Sequence, residues 1–169
     1  MVKKVIWALV FILAAALLQS TILSRFVVYI HAVPDLTLNI LVFVAYVNGT
    51  MTGQLTGFFS GILLDFFSAA PLGLNAFIRT LTGALVGLIR DTFYLDYFFL
   101  PMALCAGATV FKAFSVFLLH FIFPEAIPSY SFVGLAFWVE LGMNTLTAPL
   151  LFALLRLSGP LLVKSQENA

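Results

Sequence analysis

Apolar positions in this chain do not alternate with polar ones. They run together in long blocks, separated by short connections rich in proline, glycine or charge. Six blocks stand out, at residues 5–23, 34–48, 51–67, 72–89, 98–121 and 131–157. Uninterrupted apolar runs that approach about 20 residues fit helices that cross a bilayer. Pro34 opens the second block, a position in which a first helical turn accepts proline, and Asp35 follows near the positive end of the helix dipole. The connection Ser68-Ala69-Ala70-Pro71 is short, so the third and fourth blocks should be antiparallel neighbours. A polar patch from Arg90 to Asp96 and a proline-bounded loop from Phe123 to Pro128 set off the last two, and the tail from Lys164 to Ala169 reads as disordered. The expected fold is an all-α, polytopic integral membrane protein: one transmembrane domain, 1–169, built as a six-helix bundle.

Composition agrees. Of 169 residues, 63% are hydrophobic and 9% are charged, where soluble domains carry about a quarter charged residues. Mean hydropathy is +1.14. A net charge of +1 offers no electrostatic surface for nucleic acid. The lone cysteine, Cys105, excludes an internal disulfide and reads as core filling. The first block is longer than the 7–15 residues of a signal-peptide core and is expected to be a retained helix. Lys3, Lys4, Arg90, Arg156 and Lys164 fall on one side of such a bundle and Arg25 alone on the other, so both termini are expected in the cytoplasm. Tyr29, Tyr94, Tyr97 and Tyr130 fall near the expected interfaces.

Candidate chemistry concentrates in GQLTGFFSGILLDFFSAAPLGLNAF, residues 53–77. Gly49, Gly53, Gly57 and Gly61 recur every fourth position, and Gly83 with Gly87 repeats the spacing. Such small faces let helices approach closely. Packing within the chain is their expected use, with reception of a partner's helix as the alternative. Asp65, Arg79, Lys112 and Glu140 lie inside blocks, two acids and two bases. At 1.5 Å per residue, Lys112 and Glu140 both lie about 13 Å from the outer ends of their helices, a depth match that suggests a pair. Arg79 could snorkel outward to Asp65, and Asn75 is expected to cap the fourth helix, with a bond across helices as the alternative. A charge-satisfied core is favoured over a proton relay, because His31 and His120, the only histidines, fall near the outer surface. No hydrolase, metalloprotease or phosphate-loop motif is present, so no catalytic residue, cofactor or metal is expected.

The stretch from Gly57 to Phe77 resembles the bacterial rod shape-determining MreD family, in which G-x-x-x-G-x-x-x-D is followed closely by P-L-G-x-N-A. Gly57, Gly61, Asp65, Pro71, Leu72, Gly73, Asn75 and Ala76 carry the match. Pro34-Asp35 and the E-x-x-x-N-x-x-x-x-P pattern of Glu140, Asn144 and Pro149 agree with it. The resemblance implies a non-catalytic scaffold of the cell-elongation machinery in the bacterial cytoplasmic (inner) membrane. Its partners would be MreC, which has one membrane helix, and RodA with its transpeptidase, directly or through MreC. The role would be to help couple the MreB cytoskeleton to peptidoglycan synthesis and so regulate cell shape. It also implies a fold similar to the substrate-binding subunit of energy-coupling-factor transporters. On this reading Gly53, Gly57 and Gly61, with Asp65 and the Pro71–Asn75 turn including Gly73, would organise the partner site. Two alternatives are a vitamin-binding transporter subunit and a binder of a lipid-linked cell-wall precursor held by Arg79 and Lys112.

Overall fold

The computed structural model describes residues 1–21, 33–68, 70–90, 98–127, 132, 134–158 and 162. Arg25, Tyr29, His31, Tyr94, Tyr97, Tyr130 and the tail after Lys164 lie outside the described residues. Among the described residues the ordered elements are six α-helices and no strand: α1 Val2–Thr21, α2 Leu36–Asn48, α3 Thr50–Phe67, α4 Leu74–Leu88, α5 Phe99–Ile122 and α6 Leu135–Leu157. Three of them, α1, α5 and α6, are long and apolar enough to cross a membrane.

Helix α2 is the axis of the bundle and touches each of the other five helices. Its sequence, LTLNILVFVAYVN, is apolar on every side, and every residue from Thr37 to Ala45 is buried. A helix with no polar face has no stable place except the interior. Phe43 meets Phe152 of α6 edge-on, with ring centroids 5.1 Å apart. Ala8 and Ile12 of α1 complete this core from one side, and Leu104 and Cys105 of α5 from another. Cys105 is buried there as a small filler.

Helices α3 and α4 form an antiparallel hairpin whose backbones touch. The contact runs from Gly61 against Ala76, through Gly57 against Arg79 and Gly53 against Gly83, to Gly87 against Thr50. A methyl group at Gly53 would overlap the Gly83 carbonyl and sit 2.7 Å from the Ala45 Cβ. The glycine face is therefore filled by the chain's own helix, and no room is left on it for a partner. Gly49, at φ +87°, makes the corner between α2 and α3, and Gly73, at φ +97°, turns the chain into α4; both are conformations that side chains resist.

The outer surface inverts the soluble pattern. Phe121, Leu150 and Leu157 are exposed, whereas Asp35, Thr37, Asn39, Asp65, Arg79 and Asn144 are buried. Exposed apolar surface on this scale, around an interior that holds the charges, suits a lipid solvent.

Two glycines separate packing from propensity. Gly83→Ala must push apart two backbones and should destabilise the protein by about 1–3 kcal/mol. Gly107→Ala meets nothing within 4 Å and should be neutral or stabilising by up to about 1 kcal/mol, the helix-propensity gain. Thermal melting of the two variants in detergent checks the contrast.

Candidate functional site

Asp35 stands one residue before α2 and caps it. Its Oδ1 accepts from the Leu38 backbone N–H at 2.9 Å and from the Thr37 hydroxyl at 2.7 Å. The same carboxylate collects two cations. Arg79 Nη2, from the second turn of α4, lies 2.9 Å from each Asp35 oxygen and 2.8 Å from Thr37 Oγ1. Lys112 Nζ, from the middle of α5, lies 2.9 Å from Asp35 Oδ2 and 2.7 Å from Glu140 Oε1 of α6. Four helices thus meet through two carboxylates and two cations, a set with no net formal charge.

A neutral polar layer lies beneath these charges. Asn144 of α6 accepts the Asp35 backbone N–H at 2.6 Å and donates through Nδ2 to Thr109 Oγ1 of α5 at 3.0 Å. Asn39 of α2 donates to the Asn144 carbonyl at 3.1 Å and to Thr147 Oγ1 at 3.2 Å. At the far end of α2, Asn48 accepts from Lys4 Nζ at 3.0 Å and donates to the Leu162 carbonyl at 2.7 Å, tying α1 to the chain beyond α6.

The expected pairing of Lys112 with Glu140 matches this geometry. That of Asp65 with Arg79 does not. Asp65 is buried at the end of α3, but it caps the neighbouring helix, not a cation. Its two oxygens accept the backbone N–H groups of Gly73, Asn75 and Ala76 at 2.9–3.2 Å, and the Asn75 side-chain amide at 2.9 Å. The first backbone N–H groups of a helix lack partners within it, and a carboxylate answers several at once while facing the positive end of the dipole. Asn75 is correspondingly not the cap of α4; Gly73 holds that position, and Asn75 bonds across to α3. Pro71 belongs to the turn that delivers these donors to Asp65. His120 donates Nδ1–H to the Ile127 carbonyl at 2.6 Å, a tie across the end of α5.

Asp35 is the site residue that sequence reasoning missed, since its place before a helix reads as a dipole partner and nothing more. The available signal is Pro34-Asp35-Leu36-Thr37, a carboxylate and a hydroxyl at the start of a helix with no polar face. A charge there has nowhere to go but inward.

The charged set forms the floor of a cavity of about 510 Å³. Asp35, Arg79, Lys112 and Glu140 line it, together with Gln19 and Ser20 at the end of α1, Leu64, Phe67 and Ser68 at the end of α3, and Asn75. Arg79 is 4% exposed, and its Nη1 has no hydrogen-bond partner among the described residues. Among those residues no group of three or more His, Cys, Asp or Glu is placed to hold a metal.

Removing the shared carboxylate should be far worse than removing the peripheral one. Asp35→Asn leaves the buried Arg79 without the carboxylate it pairs with and should cost about 3–5 kcal/mol. Glu140→Gln leaves Lys112 still bound to Asp35 and should cost less than half as much. Melting temperatures of the two variants, purified in the same detergent, check the order.

No curated protein and no solved structure matches the chain significantly. The model of one family, rod shape-determining protein MreD, matches residues 1–158. That span includes all six helices, the Asp35 cluster and the Asp65 cap. The chain belongs to the MreD family of rod shape-determining membrane proteins.

Proposed function

We propose that the chain is a non-catalytic scaffold of the bacterial cell-elongation machinery that holds MreC, and through it RodA and its transpeptidase, in the cytoplasmic membrane. All six helices cross as one transmembrane domain with both termini in the cytoplasm. MreC is held by its single membrane helix, and the assembly helps couple the MreB cytoskeleton to peptidoglycan synthesis. Beside family membership, the observation that carries this reading is where the molecule's polar capacity goes. Apart from one guanidinium nitrogen of Arg79, the buried charges and the glycine stripe of α3 are answered inside the chain, so what it presents outward is an apolar surface suited to other membrane helices.

One part of that surface is shaped for a helix. Between α4 and α5 lies an apolar groove of about 240 Å³, lined by Leu85 and Ile89 on one side and by Ala103, Gly107 and Phe111 on the other. Ala103 and Gly107 are four residues apart and exposed, and space is open around Gly107. Small residues at this spacing permit close approach of a second helix. The docking face for MreC is thus α4–α5, in place of the stripe on α3.

Gly107→Leu should leave the melting temperature within a few degrees of the parent and reduce recovery of co-expressed MreC about tenfold or more, the loss of about 1.4 kcal/mol or more of packing. Co-purification in detergent reads it. Undiminished recovery of MreC with the folded variant would remove this groove from the interface.

A further inference from the structure

The cavity over the charged cluster has a use that scaffolding does not require. We propose that it binds one membrane phospholipid, with the phosphodiester against Arg79 and Lys112 and the acyl chains leaving between the ends of α1 and α3. The proposal depends on the chain lying in a bilayer and is independent of the MreC reading.

Three observations carry it. First, a donor buried just beneath the floor is unspent. Arg79 places its Nη2 on Asp35 and Thr37, while its Nη1, buried with the rest of the side chain, meets no acceptor. A buried guanidinium nitrogen without a partner costs free energy, which a small turn of the guanidinium toward an entering acceptor would relieve. Lys112 likewise has three N–H groups and places Nζ on two oxygens, Asp35 Oδ2 and Glu140 Oε1. A planar guanidinium edge beside an ammonium suits phosphate oxygens. The four charged side chains cancel, so a phosphodiester adds a single negative charge, the smallest an anionic phosphate group can bring.

Second, the cavity is amphipathic in the right direction. Its wall away from the floor includes Ala16 and Leu17 of α1 and Leu64 and Phe67 of α3. Leu17 is 52% and Phe67 64% exposed on the outside of the bundle. The apolar wall therefore continues into the surface that faces lipid. A free phosphate or a sugar phosphate would leave that wall unused; a phospholipid covers both ends.

Third, the size fits. At about 510 Å³ the cavity is within the range of small-ligand pockets. It can take a phosphodiester with its glycerol, while the acyl chains remain outside.

The test uses the full-length protein in a non-ionic detergent, with melting temperature followed as dihexanoyl phosphatidylglycerol is added. Glycerophosphoglycerol, the same singly charged phosphodiester without acyl chains, serves as the headgroup control. Saturable stabilisation by the phospholipid, absent with glycerophosphoglycerol, is the expected result. Ala16→Trp, which fills the cavity without touching a charge, should fold and lose the saturable shift. Arg79→Lys keeps the charge but removes the free guanidinium edge. It should weaken the apparent affinity about tenfold or more, the worth of one charge-assisted hydrogen bond. No saturable shift in the parent protein, an equal shift with glycerophosphoglycerol, or an undiminished shift in folded Ala16→Trp would overturn the proposal. The parent protein's two titrations decide the matter even if a variant does not fold.

Discussion

One carboxylate sets the terms for this bundle. Asp35 begins the helix that every other helix touches, and it is buried. A bare carboxylate in such a place is too costly to keep. Arg79 from α4 and Lys112 from α5 make it tenable, and Glu140 from α6 balances the second cation. The price of burying any one of these groups is met only if the other three arrive at the same point. Each ion pair is then also a constraint on where a helix can sit along its axis, so the cluster fixes the register of four helices at once.

The glycine hairpin serves this constraint. Arg79 leaves α4 at the level where its own backbone lies against Gly57 of α3. Close approach of the two helices brings that backbone deep enough for the guanidinium to reach α2. Asp65, one turn beyond Gly61, binds the first N–H groups of α4 and holds the helix from sliding along the glycine face. The motif of glycines, aspartate and Pro-Leu-Gly-x-Asn-Ala is thereby a single device. It builds a tight helical pair and aims one arginine.

Much of the helical layout was legible in the sequence. Apolar blocks with proline and glycine boundaries mark helices whatever they pack against, and the observed helices lie over the six expected blocks with ends shifted by a few residues. The Lys112–Glu140 pair was legible because depth along a helix follows from residue number. Partner choice across three helices was not. Asp65 and Arg79 are close in sequence and opposite in charge, yet Asp65 finds several backbone donors nearer than any cation. Arg79 instead reaches Asp35, 44 residues away. Asn144 and Thr109 could be read as ordinary polar residues in apolar helices, because their roles exist only once the Asp35 N–H meets Asn144, which in turn donates to Thr109. The glycine spacing announced a close contact, but could not say whether the facing helix came from this chain or another.

The central claim is that Asp35 and Arg79 are each tolerated because of the other. A double-mutant cycle of Asp35→Asn and Arg79→Gln, read as unfolding free energy in one detergent, tests it most directly. The account predicts that each single change is severe and that the double variant is less damaged than their sum, with a coupling of about 1–3 kcal/mol. Losses that add to within about 0.5 kcal/mol would mean that the two groups do not depend on each other, and would contradict it.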